Sequence, residues 1–168
     1  MLSRRERIYA RNCVVKEISK IDCDNYLNSY HLQNTCNGQI IRLGLYHSDE
    51  LVFVMTFGKP RYNIKYEYEL IRLCSHKYVI GGAEKLFSYF IKNYNPSSIV
   101  SYCDNSKFRG DVYYRLNFKL FNNGQPSKHW YNLKTKQHIT DNLLRQRGFD
   151  QLFNMNYGKG TSNEELMK

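Results

Sequence analysis

No part of this sequence stays apolar for the roughly 18 residues that a membrane-spanning helix requires. The basic run Arg4-Arg5-Glu6-Arg7 precedes no short apolar segment of the kind found in secretory signals. These two absences predict a protein that has no membrane partner and acts in the cytoplasm. Internal repeats and interdomain linkers are also absent, and 168 residues suit one folded unit. We therefore expect a single domain over residues 1–168.

Closely spaced metal-binding or disulfide motifs are missing as well. The five cysteines are odd in number, widely spread and without a Cys-x-x-Cys pair, which predicts reduced thiols in a cytosolic protein. The five histidines, at positions 31, 47, 76, 129 and 138, lack the His-x-x-x-His spacing of a metal site. The sequence thus supports no metal centre.

Acidic side chains are scarce, with 15 Asp and Glu against 25 Lys and Arg and a net charge of +10. Clustered carboxylates that could hold the Mg²⁺ of a nuclease are not evident. The excess of positive charge favours a polyanionic partner, most simply nucleic acid, although a merely soluble basic protein remains the alternative.

Aromatic residues accompany several of the cations, and 15 of the residues are tyrosines. Basic grooves lined by aromatic rings hold phosphates and stack bases in single-stranded nucleic acids. The predicted DNA-binding residues are Lys59, Arg61, Tyr62, Tyr66, Lys107, Phe108 and Arg109, with Tyr102 as a further stacking ring. The alternative for each is a core ring or a solvated surface charge.

Hydrophobic patterning predicts a mixed α/β (α+β) chain. The expected strands are residues 12–18, 39–47, 51–58, 66–74 and 98–103, a segment after 115, and 129–133. The expected helices begin at Asp22 or Asp24, after Gly82, at Asp111 as a cap, and at Asp141. The hairpin that turns at His47-Ser48-Asp49-Glu50 has the clearest pattern.

Residues 79–91 combine a strand-like approach, two glycines and an amphipathic helix. Glycines let backbone N–H groups approach an anion closely, and a helix N-terminus adds a favourable field. This pattern predicts a cradle for a phosphorylated ligand at Val79, Ile80, Gly81, Gly82, Ala83 and Lys85. A tight strand-to-helix turn is the alternative.

The order of these elements resembles the GNAT-type N-acyltransferase fold, a central, mixed, mostly antiparallel sheet flanked by helices. The features that carry the resemblance are the hairpin, the strand ending at Leu73, the Gly-Gly helix and Asp111-Val-Tyr-Tyr-Arg-Leu-Asn-Phe. It covers about residues 12–121 and leaves 122–168 as a C-terminal extension. The resemblance implies that the phosphorylated ligand is acetyl-CoA or another acyl carrier. The last segment is similar to the family's Tyr-x-x-x-Gly-Phe element, which places Tyr113 or Tyr114 near the carrier's sulfur. The chain departs from the family's pyrophosphate loop, because Ser75-His-Lys-Tyr-Val-Ile-Gly-Gly-Ala keeps Gly81 and Ala83 but lacks the basic first position.

A closer resemblance is to phage-encoded proteins of this fold that act on DNA, the Mom-like adenine-modifying proteins and a domain of Hef-like homing endonucleases. It rests on seven segments: His31-Leu-Gln, Ile41-Arg-Leu-Gly-Leu-Tyr, Met55-Thr-Phe-Gly-Lys-Pro-Arg, Glu69-Leu-Ile-Arg-Leu, Ile80-Gly-Gly-Ala, Ser101-Tyr-Cys-Asp and Tyr113-Tyr-Arg-Leu-Asn-Phe. The resemblance implies a working centre of Arg72, Asp104 and Tyr114, a location in the host cytoplasm, and an association with iron in the Mom-like group. Hef-like chains continue into one more strand, which leaves open a truncated product or a fragment.

Each member of this centre has a plainer alternative. Asp104 could deprotonate an exocyclic amine or could close an Asx turn with Asn105. Tyr114 could be a general acid or a core ring. Arg72 could face inward toward an anion or outward to solvent, and Glu69 could belong to either surface. His31 could bind substrate or end a helix.

The leading hypothesis is a DNA-modifying transferase of GNAT-like fold that moves an acyl-derived group to a base amine. A base in a duplex must leave its stack for such chemistry, so aromatic rings that hold it are expected. The first alternative is a non-catalytic DNA-binding module from a homing-endonuclease-like protein. The second is an acetyl-CoA-dependent N-acetyltransferase that acts on a protein or a small molecule.

Overall fold

The computed structural model describes residues 7–124, 129–131 and 138–140. The chain forms two compact units, residues 1–119 and 120–168. The strands are β1 Arg7–Tyr9, β2 Val14–Glu17, β3 Ile41–His47, β4 Glu50–Gly58, β5 Tyr68–Ser75, β6 Tyr78–Ile80, β7 Ile99–Ser101, β8 His129–Tyr131 and β9 His138–Thr140. The helices are α1 Lys20–Tyr30, α2 Gly82–Tyr94 and α3 Asp111–Arg115.

A five-stranded sheet in the order β2-β3-β4-β5-β7 is the centre of the first unit. Its first three pairings are antiparallel, and only β5 and β7 run parallel. The prediction of an α+β chain around a mostly antiparallel sheet is therefore confirmed. One sheet face packs on α2 and the other on α1.

The β3–β4 hairpin is confirmed, and its turn explains why the pattern is so clear. Ser48 and Asp49 both have positive φ, 47° and 63°, as a two-residue hairpin turn of the primed type requires. Short polar residues tolerate this conformation better than bulky or branched ones. Alternating Leu43, Leu45 and Phe53 are then buried in the core.

The first helix begins earlier than the sequence analysis predicted. Ser19, and neither Asp22 nor Asp24, is its N-cap, because the Ser19 Oγ accepts the backbone N–H of Asp22 at 3.1 Å. The Ser19 hydroxyl in turn donates to the Asp22 carboxylate at 2.7 Å. Serine followed three residues later by an acidic residue is a capping pattern, so the signal was present in the sequence.

Helix α2 was predicted correctly and is packed by aromatic contacts. Phe90 is fully buried and stacks on Phe57 of β4, with ring centroids 3.6 Å apart. Asn95 ends the helix in the left-handed conformation at φ 42°, and Pro96 prevents its continuation. Apolar residues at helical spacing thus bury this helix against the sheet.

Helix α3 differs from the prediction at both ends. Its N-cap is Gly110 at φ 76°, so Asp111 is the first helical residue and is not the cap. No strand follows it in residues 116–124, because the chain turns back at Asn117. Asn117 has φ 62°, and the Phe118 N–H donates to the Tyr113 carbonyl at 2.9 Å, which is a Schellman ending. Asparagine is one of the few residues besides glycine that adopt this left-handed conformation readily.

The pairing of β1 with β6 was not predicted. These two three-residue strands run parallel and align Ile8 with Val79. Lys85 of α2 also reaches this segment and donates to the carbonyls of Ala10 at 2.9 Å and Cys13 at 2.6 Å. The N-terminal segment is therefore bound to the turn that precedes α2.

The second unit contains the antiparallel pair β8–β9, which aligns Trp130 with Ile139. A strand was predicted at 129–133, and β8 confirms it. The helix predicted from Asp141 lies outside the described residues. None of the helices in the described ranges is long and apolar enough to cross a membrane.

Candidate functional site

Strands β5 and β7 stay together for only part of their length. They pair over Tyr68–Leu70 and Ile99–Ser101, whereas β5 continues to Ser75 and the chain leaves β7 at Tyr102. A cavity of about 390 Å³ is lined by residues 31–33, 71–73, 102–104 and 107–113. Diverging parallel strands thus contribute two of its walls, a place where α/β folds commonly bind ligands.

Arg72 lies on the β5 wall of this cavity and is partly buried. Its Nε donates to the Asn34 carbonyl and one terminal nitrogen to the Ile71 carbonyl, both at 3.1 Å. These partners are neutral, and no carboxylate in the described ranges lies within ion-pair distance. Among the described residues, the guanidinium is therefore held in place by neutral groups alone, and it can bind an anionic ligand.

Asp104 lies on the opposite wall, directly after β7. Its Oδ1 accepts the backbone N–H of Ser106 at 3.0 Å, and its carbonyl accepts from Lys107 and Phe108. The side chain therefore closes an Asx turn, with Ser106 as its partner. The structure brings Asp104 and Arg72 together around one cavity, as the sequence analysis expected.

Tyr114 does not join them. Its side chain is 58% exposed and lies outside the cavity, whereas the preceding Tyr113 lines it and packs on Phe118. Neighbouring residues on a helix point about 100° apart, so only one of the two tyrosines can face inward. Tyr113 is the aromatic residue that the geometry selects.

The Ser101 hydroxyl donates to the Leu70 carbonyl at 2.9 Å and lies near the Tyr113 hydroxyl. Burial raises the pKa of Tyr113, despite the opposing effects of Ser101 and of Arg72. Tyr113 is therefore protonated at neutral pH and suited to donate a proton or a hydrogen bond rather than to accept one.

His31 ends α1 and also lines the cavity. Its Nδ1 accepts the backbone N–H of Gln33 at 3.1 Å, so a neutral ring carries its proton on Nε2. Burial, and then the charge of Arg72, lower the pKa of His31 to about 4. The ring is therefore neutral at pH 7 and can donate one hydrogen bond.

This shift predicts acid sensitivity. Between pH 6.5 and about 4 the unfolded chain protonates His31 and the folded protein does not. The contribution of His31 to the free energy of unfolding therefore decreases as the pH falls through this range and is constant below about 4. Urea titrations at pH 7, 5.5 and 4.5 should show a smaller loss for His31→Gln than for the wild type. Equal losses in the two proteins would contradict the environment assigned to His31.

Three of the predicted DNA-binding residues, Lys107, Phe108 and Arg109, line the cavity. Tyr62 is 76% exposed and contacts Tyr102 edge to face, with ring centroids 5.6 Å apart. Tyr102 itself lines the cavity. Cations and exposed aromatic rings therefore share one edge of the opening.

Arg61 has a structural partner that the sequence analysis did not assign. Its backbone N–H donates to Glu69 Oε2 at 2.8 Å and its Nε to Oε1 at 3.0 Å, and Glu69 is only 1% exposed. A buried carboxylate requires such a partner. The pair fixes the loop that carries Tyr62. Since a register shift interrupts the β4–β5 pairing beside Glu69, simple alternation along the strand could not place this residue.

The other two predicted DNA-binding residues, Lys59 and Tyr66, do not line the cavity. Lys59 Nζ is 5.8 Å from the centre of the Tyr68 ring, at cation–π distance. Tyr66 is partly buried, and its backbone N–H donates to the Asn63 carbonyl at 3.3 Å. Both belong to the same loop as Tyr62, between β4 and β5.

None of the six predicted cofactor-binding residues lines the cavity. Gly82 and Ala83 are buried, and a Cβ on Gly82 would lie 2.7 Å from the Phe53 ring. Val79 and Ile80 pair with β1, and the Lys85 ammonium is bonded to two carbonyls. Gly81 takes the left-handed conformation at φ 74°. Crowding against Phe53 thus accounts for Gly82, and the left-handed backbone accounts for Gly81.

In the described part of the chain, no three His, Cys, Asp or Glu side chains lie close enough to hold an ion. Cys103 lines the cavity, but burial raises the pKa of its thiol, which disfavours the reactive thiolate.

The chain matches no protein-family model, and it matches no curated protein closely enough to suggest a relative. The geometry of the cavity therefore carries the functional argument.

Proposed function

We propose that the protein has a GNAT-like fold and modifies a base amine in DNA, within the cavity between β5 and β7. One observation carries this proposal: Arg72, Asp104 and Tyr113, from separate parts of the chain, line a single cavity together with Lys107, Phe108 and Arg109. An acid, a base and an anion-binding group around an aromatic-lined space are the parts that such a transfer needs.

The proposed roles follow from charge and protonation. Asp104 accepts the proton that the exocyclic amine loses as its nitrogen forms the new bond. Tyr113 donates a hydrogen bond or a proton to the group that departs from the donor molecule, because its own hydroxyl stays protonated. Arg72 holds the anionic part of the substrate.

A base must be extruded or single-stranded to reach this cavity. The Tyr62–Tyr102 pair at its edge supports this requirement, since exposed rings stack on unpaired bases. Lys107 and Arg109 supply charge for the adjacent phosphates.

The proposal is tested by incubating the protein with single-stranded and duplex DNA and a panel of donors that includes acetyl-CoA. The DNA is then digested to nucleosides for mass analysis. We expect a new nucleoside with the wild type, more on single strands, and none with Asp104→Asn. Unmodified DNA with every donor, or equal product from wild type and variant, would remove the proposal.

A second candidate is a non-catalytic DNA-binding module. It is favoured by the glycine turn, where packing and the two Lys85 hydrogen bonds account for the residues expected to hold a cofactor. Salt-sensitive DNA binding that persists in Asp104→Ala and Tyr113→Phe, with no modified nucleoside, would select this candidate.

A further inference from the structure

Three polar residues lie side by side across the sheet, on the face that α1 covers. Arg42 of β3 pairs with Thr56 of β4, and Thr56 pairs with Arg72 of β5, so their side chains share one face. Thr56 is fully buried, and its Oγ1 and the Nε of Arg42 have no hydrogen-bond partner in the described structure. Unpaired buried polar atoms cost free energy.

The row is also unbalanced in charge. Arg42 donates to the Gln39 carbonyl and Arg72 to the Asn34 carbonyl, both neutral groups. Over the ranges that the structure covers, neither guanidinium has a carboxylate within 4.0 Å. The Asp24 carboxylate forms hydrogen bonds with Lys20 and Thr35, which lower its pKa, and the charge of Arg42 has only a minor effect on that pKa. Two guanidinium groups therefore face one side of the sheet, and no described carboxylate forms an ion pair with either of them.

At the open end of the row, Arg72 and His31 both line the cavity. The backbone N–H of Gln33 donates to His31 Nδ1, so the neutral His31 ring carries its proton on Nε2. This Nε2–H can donate to a ligand beside the Arg72 guanidinium. Lys107 and Arg109 add positive charge on the facing wall, and Phe108 and Tyr113 add aromatic surface. Donors and cations for an oxyanion thus adjoin rings suited to a base.

We propose that Arg72 and His31 form a phosphate-binding subsite that anchors the nucleotide being modified by its own phosphate. This inference rests on the proposed function for the identity of the ligand, but it makes a separate claim. Recognition begins at the phosphate and not at the base. The substrate class is then a nucleotide or an oligonucleotide, and a free nucleoside is a poor ligand.

The test measures equilibrium binding at fixed ionic strength to three probes: deoxynucleosides, their 5′-monophosphates and inorganic phosphate. A charge-assisted bidentate contact predicts that the monophosphate binds about 10- to 100-fold more tightly than the nucleoside. Arg72→Gln should reduce this preference to within about threefold, and His31→Gln should reduce it partially. Lys92→Gln, which removes the same charge from an exposed site on α2, should leave it unchanged.

Each outcome is informative on its own. Equal binding of nucleoside and monophosphate, or a preference that survives both Arg72→Gln and His31→Gln, overturns the subsite. Inorganic phosphate that binds as tightly as the nucleotide overturns the nucleotide assignment. If circular dichroism shows that Arg72→Gln is unfolded, the binding preference of His31→Gln tests the subsite, and an unchanged preference overturns it. Product formation from DNA is scored separately, so a failed subsite leaves the proposed function standing, and the reverse also holds.

Discussion

The Tyr113→Phe variant is expected to form modified nucleoside at least about 100-fold more slowly than the wild type, while Tyr114→Phe keeps the wild-type rate. The two residues are adjacent in α3 and carry the same side chain. Tyr113 lines the cavity and is partly buried, whereas Tyr114 is exposed outside it. The pair is therefore a matched test of position, with chemistry and helix propensity held constant.

Loss of the Tyr113 hydroxyl should lower the free energy of unfolding by no more than about 1 kcal/mol, because the rest of the side chain is kept. This loss is too small to unfold a typical domain, so rates can be compared in folded protein. Initial rates on single-stranded DNA and urea titrations of both variants provide the two measurements. A rate deficit that follows Tyr114, or equal deficits in both variants, would contradict the assignment of Tyr113.

The parts of the fold that the sequence predicted well are those in which local preference and burial agree. Alternation in β3 and β4 meets a turn whose residues accept positive φ, and the apolar spacing of α2 meets an Asn-Pro stop. In both cases the local sequence is sufficient to predict the element and its end. The capping of α1 by Ser19 followed a local rule as well, but the choice between Ser19 and the later aspartates needed the backbone geometry.

The site was harder to predict because it depends on contacts between distant segments. The pairing of β1 with β6 joins positions about 70 residues apart and has no local signature. Glu69 can be buried because Arg61, from the loop between β4 and β5, forms an ion pair with its carboxylate. Arg72 and Asp104 could be placed from strand order, whereas the choice of Tyr113 over Tyr114 depends on the rotation of one short helix.

Gly58→Ala is expected to lower the free energy of unfolding by about 3 kcal/mol or more, the largest stability effect predicted for the chain. A Cβ at this position would lie 1.9 Å from the Gly38 carbonyl oxygen and 2.8 Å from Ile71 Cδ1. The first of these contacts is with backbone, which cannot rotate away as a side chain can. The end of β4 and the segment before β3 would have to separate, and the backbone N–H of Ile40, which donates to Phe57 at 2.8 Å, would lose its bond.

Gly124→Ala is the control, because nothing lies within 4 Å of its added Cβ and its φ is not positive. Its effect should stay within about 0.5 kcal/mol. Urea titrations of the two variants and the wild type provide the comparison, and a Gly58→Ala loss below about 1 kcal/mol would show that the two segments are not in contact. The same contact links stability to the site, since Ile71 lines the cavity and Asn34, in the segment that approaches Gly58, holds Arg72. A folded Gly58→Ala protein should therefore bind DNA less tightly, even though residue 58 does not line the cavity itself.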